Sequence, residues 1–413
     1  MNKPVLTIRK VQESSLYVLL FLLPFSKAAI EIGFGVLLVG WLVERVRGST
    51  RSDSVWVRAR LAPLGVGIGL YLAVCGLSIV VSDYPALSMS GFVNKWLEYL
   101  LFLVIVADVG ARPGIVKRSL AVIACSSLFV VIEAASQQLF GKGLFRGYAI
   151  GALGKFPRIT GPYENPIDLA TYLMVVILLL FPYALTRRST VRRTLGILLL
   201  ILLVLCLAQT EAVGAWLGFT AGFLVLLGFQ RPLRRYGLLL LMELILASGV
   251  VLYQSGHIGS IFSLSDIGKT DRRVMWQAAI GMIRDRPMLG HGLNTFMANY
   301  LKYWVGGERM PRYAHNCYLQ VASETGLIGL CAFLVLLGFL FARFCAGLRR
   351  AAGDDRARLA GFLCGLVAFA VQAAVDTNFY SLRQAALFWV VSGLALGLSE
   401  RVLRGGSPES RSA

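Results

Sequence analysis

Apolar stretches of about 20 residues recur along the chain from Leu16 to Leu398, the length one helix needs to cross roughly 30 Å of hydrocarbon. A backbone buried in hydrocarbon must satisfy its own polar groups, which leaves helices or a closed barrel. The runs are continuous rather than alternating, which argues against barrel strands. Composition agrees, with 57% hydrophobic and 15% charged residues against roughly 25% charged in soluble domains. Forty-three glycines and thirteen prolines spread through apolar segments fit membrane helices. The expectation is an all-α polytopic membrane protein, a single transmembrane domain over residues 1–413. About twelve spans are expected, near 14–27, 28–44, 61–81, 93–110, 115–139, 166–185, 194–210, 213–229, 236–254, 316–342, 359–376 and 384–400. Lys3, Arg9 and Lys10 ahead of Leu16 to Phe25 mimic a signal peptide, but a second apolar run follows at once, so the segment reads as a retained first helix.

The net charge of +19 could suggest nucleic acid, but its distribution does not. Of the 41 Lys and Arg residues, 26 fall in loops on one side of the twelve-span scheme, which makes that side cytoplasmic, with both termini inside. Most of the others occupy two long loops on the opposite face, 141–165 and 255–315, the second lying between spans nine and ten. That second loop carries eight basic residues against four acidic ones. An excess of positive charge there opposes the usual bias, and an anionic substrate accounts for it. Within it, Asp271 to Arg286 reads as an amphipathic helix with Trp276, Ala279, Ile280 and Ile283 on one side, ended by Pro287. Leu293 to Trp304 reads as a second short helix whose Phe296, Tyr300, Tyr303 and Trp304 suit a membrane interface. No inverted repeat of the transporter kind is evident. Six of the seven cysteines lie in apolar segments and only Cys317 approaches an aqueous loop, so neither a disulfide framework nor a metal site is expected.

The most informative motif is Ala314-His315-Asn316-Cys317-Tyr318-Leu319-Gln320, followed by Glu324-Thr325-Gly326, where the loop re-enters the membrane. A histidine can titrate near neutrality, and its neutral ring can accept a hydroxyl proton during group transfer. The plainer alternative is an interfacial histidine bonded to a loop carbonyl. Arg272 and Arg273, with Arg309 and Arg312, are candidate ligands for a diphosphate, since guanidinium forks match phosphate oxygens. A solvated basic face, or lipid headgroup contact, explains the same residues. A third stretch, Lys155 to Asp168, is rich in Pro and Gly. It offers Arg158 as a phosphate ligand and Tyr163, Glu164 and Asn165 as sugar contacts, with a turn and helix cap as the alternative for Asn165 and Asp168. Among ionisable residues in or beside spans, Lys95 and Glu98 have the spacing of a helical ion pair, and Asp376 is placed to orient His315 or bind substrate. Asn316, Tyr318 and Glu324 complete the orienting or substrate-binding set. His257 and His291 read as structural. No nucleotide-binding loop or metal-ligand spacing is present in the sequence, so no cofactor is expected.

Together these residues resemble the bacterial O-antigen ligase and O-antigen polymerase superfamily. The likeness rests on Gly161 to Asp168, on Arg272 to Trp276 with Pro287, Gly290 and Gly292, on His315-Asn316-x-Tyr318-Leu319 with Glu324-x-Gly326, and on the Asp376 region. It implies a metal-independent, inverting glycosyltransferase with a GT-C-like fold and a periplasmic active site in the bacterial inner membrane. Its partners would be undecaprenyl diphosphate-linked O-antigen, lipid A-core oligosaccharide and membrane lipids. His315 would be the base and Arg272 the diphosphate ligand, with Arg273 the off-by-one alternative. Where relatives often have an arginine before an Ala-x-Leu run, this chain reads Thr210-Glu211-Ala212-Val213-Gly214-Ala215, and Arg158 or another loop arginine would take that role. A repeat-unit polymerase and a protein O-oligosaccharyltransferase are alternatives within the superfamily. The compact length favours lipid acceptors over protein ones. A transporter of an anionic lipid or solute is the alternative outside it.

Overall fold

The computed structural model describes residues 3–47, 62–150, 158–186, 189–229, 267–306, 310 and 312–405. Among them it is helical, with a single isolated bridge between Lys142 and Ala149 and no strand ladder. The helices run α1 (Lys3–Leu22), α2 (Lys27–Val46), α3 (Ala62–Val80), α4 (Pro85–Gly91), α5 (Glu98–Gly110), α6 (Ile115–Phe140), α7 (Pro166–Leu185), α8 (Thr190–Gln209) and α9 (Val213–Phe229). After residues outside the description come α10 (Ile267–Asp285), α11 (Phe296–Tyr300), α12 (Cys317–Arg350), α13 (Gly353–Gln372) and α14 (Leu382–Leu403). Phe92–Leu97, between α4 and α5, is a π-helix. Length and apolar composition alone mark α3, α6, α7, α8, α12 and α14 as able to cross a membrane, and the chain is a polytopic membrane protein. Eleven of the twelve expected spans coincide with helices, while 236–254 and the loop up to residue 266 lie outside the described residues.

Local chemistry sets several helix ends. Ser26 caps α2 by accepting the Ala29 N–H, and Asn165 caps α7 by accepting the Ile167 N–H, with Pro166 at the first turn, where its missing donor costs nothing. Gly-x-x-x-Gly pairs let the central helices approach closely. Gly393 and Gly397 on α14 face Val106 and Ala107 on α5. Gly218 and Gly222 on α9 face Ala368 and Cys364 on α13, whose own Gly361 and Gly365 face Leu179 and Val175 on α7. A β-carbon at Gly222 or Gly361 would come within 2.5 Å of a carbonyl oxygen.

The two ends of the bundle differ. At the end holding the termini of the described chain, arginines are tied to acids. Glu44 joins Arg9 (2.8 Å) and Arg112 (2.9 Å), Asp355 joins Arg358 (2.6 Å) and Arg401 (3.2 Å), and Arg343 pairs with the buried Glu400. At the other end α12 starts, α13 stops and the loop carrying α10 and α11 folds back. Arg286 and Lys302 anchor that loop to Asp83, and the Arg286 hydrogen bond holds the Asp83 carboxyl below the usual carboxylate range.

α12 is broken at Gly326 (φ 72°, ψ 179°), and the loop fills the break. His291 N–H donates to Ser323 O (3.0 Å), Gly292 N–H to Glu324 O (2.9 Å) and Leu327 N–H to Pro287 O (2.7 Å). Irregular backbone inside a membrane bundle needs such substitutes. Here Pro287, Gly290, Gly292 and Gly326, separated in sequence, form one interlock.

The loop helices depart from expectation in phase and length. α10 buries Met275, Ala278, Ala279 and Met282 against Phe296, Tyr300 and Ala314, while Trp276 and Ile283 flank that stripe and Ile280 is exposed. The buried face is thus turned by one residue, because the contacting surface comes from α11 and the segment before α12. α11 covers only Phe296–Tyr300, since Tyr303 turns aside to bond Asp285. Lys95 and Glu98 do not pair. Lys95 sits in the π-helix, whose wider turn removes the usual stacking of neighbours three apart, and its ammonium donates to Asn294 Oδ1 at 2.7 Å.

Candidate active site

The site begins with the N-terminus of α12. Asn316 Oδ1 accepts the N–H groups of Tyr318 and Leu319 at 3.0 Å each, so the asparagine acts as the helix cap. Cys317 is buried, and its N–H donates to Ala373 O (2.8 Å) and Asp376 O (3.1 Å). These bonds fasten the second residue after His315 to the end of α13. His315 itself takes the left-handed conformation, φ +47°, which is uncommon outside glycine and is kept where surroundings enforce it.

The consequence is a histidine facing a carboxylate. His315 Nδ1 lies 3.4 Å from Asp376 Oδ1, off the line needed for a hydrogen bond, so the atom is buried without a formal partner. Asp376 Oδ1 is fixed by the Thr377 N–H at 2.8 Å. The His315 side chain is about one third exposed, and Nε2, unlike Nδ1, is not buried without a partner. A carboxylate on one nitrogen and an open second nitrogen is an arrangement that can orient a general base.

The same geometry sorts the other candidates. Glu324 is fully buried and accepts from Asn294 N (2.8 Å), Phe296 N (3.3 Å), Gln320 Nε2 (3.2 Å) and Tyr380 OH (3.0 Å). Its oxygens are therefore occupied by the protein, and it secures the loop beside the kink. Burial pushes the Tyr380 phenol well above its ordinary value, which keeps it a donor to Glu324. Tyr318 OH donates to Ala370 O (2.7 Å), tying α12 to α13. Tyr163 is fully buried beneath the Arg383 guanidinium (4.4 Å), and Asn165 is occupied as a cap.

Among the arginines, α10 separates Arg272 from Arg273. Arg272 shares the stripe of Met275, Ala279 and Met282, which packs against Ala314, the neighbour of His315. Arg273 falls on the exposed stripe with Gln277, Ile280 and Arg284. Arg286 is engaged by Asp83, Arg312 is partly buried, and Arg309 lies outside the described residues. Arg158 donates through Nε to Thr210 O at 2.7 Å and through Nη2 to the same oxygen. That is the segment where the resemblance leaves an intramembrane arginine missing. His291 is buried with Nε2 at 3.1 Å from Met282 O, and burial lowers its tendency to protonate. His257 lies outside the described residues. Sequence reasoning missed Lys95, Asn294 and Arg383 as organisers of this end; the intramembrane lysine was the one signal available.

Comparison with known proteins adds that residues 196–334 match the family model described as O-antigen ligase. The match covers about one third of the chain. The matched residues include α10, α11, His315 and the kink of α12, whereas Arg158 and Asp376 fall outside them. Three curated relatives, each named "Putative polysaccharide ligase", come from Rickettsia. The Rickettsia bellii protein is 24% identical over 48% of this chain and 49% of its own, and the Rickettsia felis protein 22% over 65% of each. The Rickettsia conorii protein is 25% identical over 34% of this chain and 37% of its own. The chain thus spans about half the length of the first of these relatives, and less than two thirds of each. A solved chain from "Structural coordination of polymerization and crosslinking by a peptidoglycan synthase complex" aligns with 83% of this chain and 98% of that one, at 18% identity and a TM-score of 0.43.

Proposed function

We propose that this protein is an O-antigen ligase of the bacterial inner membrane, with both termini cytoplasmic, a GT-C-like architecture and a periplasmic site around His315. The donor is O-antigen on undecaprenyl diphosphate and the acceptor a sugar hydroxyl of lipid A-core oligosaccharide. The observation that carries this reading is the His315–Asp376 contact, at the bundle end that also holds the basic loop helix α10, with His315 and α10 both inside the residues that match the O-antigen ligase family model.

In the reaction, Nε2 of neutral His315 takes the proton of the acceptor hydroxyl as its oxygen bonds to the anomeric carbon. The bond from that carbon to the phosphate oxygen breaks on the opposite face, inverting configuration, and the diphosphate leaves with the electron pair. Arg272 stabilises the charge growing on the diphosphate, where a guanidinium contributes most. Asp376 holds the ring orientation. A lipid diphosphate is already an activated leaving group, so the chemistry needs neither nucleotide nor metal.

The test is transfer in vitro, with purified protein, undecaprenyl diphosphate-linked glycan and lipid A-core, read as a ladder on a gel. A ladder that disappears with His315→Ala supports the ligase. Chain extension with donor alone identifies a polymerase, glycan on a protein acceptor identifies an O-oligosaccharyltransferase, and movement of unchanged molecules identifies a transporter.

Helix phase gives a separate expected result. Arg272→Ala lowers transfer by about 10–100-fold, as loss of one charge-assisted contact of roughly 1.5–3 kcal/mol would do, while Arg273→Ala stays within about twofold of the parent. Equal effects, measured as kcat/KM for the donor, would contradict the assignment.

A further inference from the structure

At the bundle end opposite His315, a cavity of about 370 Å³ lies between the ends of α12 and α14, lined by Arg343, Ala346, Arg349, Arg350 and Leu403. Three of its five lining residues are arginines and none is acidic. Other basic side chains of this end are spent on partners: Arg9 and Arg112 on Glu44, Arg358 and Arg401 on Asp355. Arg343 is held by Glu400 through Nε at 2.9 Å. Arg349 and Arg350 are exposed and have no hydrogen bond or ion pair among the described residues. Basic residues do favour the C-terminal turn of a helix, but that effect does not gather three of them with two small or apolar side chains around one concavity.

Next to the cavity α12 carries an exposed strip. Leu327, Cys331, Leu334, Val335, Gly338 and Ala342 are all exposed on α12, at spacings of three and four that keep them on one face, and the strip leads into Ala346. Beyond the break at Gly326, the arm of α12 from Leu327 to Arg350 is about 36 Å long at 1.5 Å per residue, against roughly 30 Å of hydrocarbon. Its charged last turns, Arg343 to Arg350, therefore stand in the headgroup layer while the strip lies along acyl chains.

We infer that this cavity is a binding site for the phosphate headgroup of an anionic phospholipid, with Arg349 and Arg350 on the phosphate and an acyl chain along Gly338 and Ala342. Basic pockets between helices bind such headgroups. The site is separate from His315 and does not depend on the glycosyl-transfer reading.

The experiment is native mass spectrometry of the full chain in detergent, titrated with cardiolipin, phosphatidylcholine or inorganic phosphate. Cardiolipin is expected to bind, and the double variant Arg349→Ala/Arg350→Ala to weaken it about 30-fold, the change expected for two charges near a membrane surface. Arg404 and the Arg343–Glu400 pair are left intact, and an unchanged thermal midpoint certifies the fold. Equal binding of phosphatidylcholine, or no change in the double variant, overturns the site. Displacement of cardiolipin by millimolar inorganic phosphate overturns the lipid assignment, reducing it to a free-phosphate site.

Discussion

Replacing His315 by alanine should lower glycan transfer by about 10²–10⁴-fold, the contribution of a positioned general base, while leaving folded protein in the membrane. The fold should survive because the imidazole makes no hydrogen bond among the described residues and is about one third exposed. The attachments of this segment come instead from Asn316 and Cys317. Backbone strain is the confounding effect, since His315 sits at φ +47°. His315→Asn controls for it, because asparagine tolerates the left-handed region yet has no basic nitrogen. Both variants should lose transfer with a normal thermal midpoint. Asp376→Asn should lose less, about tenfold, the rate equivalent of roughly 1.4 kcal/mol of orientation. Wild-type rates in both His315 variants would remove the base assignment.

The second large effect concerns the interlock between the loop and α12. Gly326→Ala should abolish the native assembly. The backbone there occupies a region open essentially to glycine, at a cost of order 1–3 kcal/mol for any other residue, and a β-carbon would lie 2.0 Å from Met288 O. Gly290→Ala should act alike, since its β-carbon would meet Glu324 O at 2.5 Å. Backbone atoms on both sides cannot give way as a flexible side chain would. Gly338→Ala is the control, because its β-carbon meets nothing within 4 Å. The measurement is the yield and thermal midpoint of detergent-purified protein: Gly326→Ala and Gly290→Ala low in both, Gly338→Ala unchanged. Retention of the parent midpoint by Gly326→Ala would mean that the loop does not depend on the kink.

The long apolar helices were legible because 20 apolar residues in a row have few other folded solutions, and the helix at Ile267–Asp285 because Pro287 and its amphipathic period mark it. Its buried face was legible only to within a residue, since that depends on Ala314 and α11, brought to it by the tertiary fold. The same limit governs Lys95 and Glu98. Their spacing implies a pair on a regular helix, and no local signal announced the π-turn that separates them. Glu324-x-Gly326 stood out as a motif, but its geometry needs the carbonyls and N–H groups of residues 287–296, which no pattern in α12 reveals. The candidate site could be read from the sequence only as a set of residue types around His315. The division of labour among its arginines could not be, because charge alone cannot distinguish Arg286, bound to Asp83, from Arg272, one turn from Met275.

Arg383 carries a consequence for biosynthesis. Its Nη1 donates to Pro24 O (3.1 Å) and Pro162 O (3.0 Å), joining the turn between α1 and α2 and the approach to α7 to α14. Those carbonyls leave the ribosome more than 200 residues before the arginine that satisfies them. Until α14 inserts, both must depend on water or lipid headgroups. The turn between α1 and α2 and the approach to α7 are thus joined only when the last described helix is in place, so a chain cut short before residue 383 keeps both carbonyls but lacks the donor that ties them together.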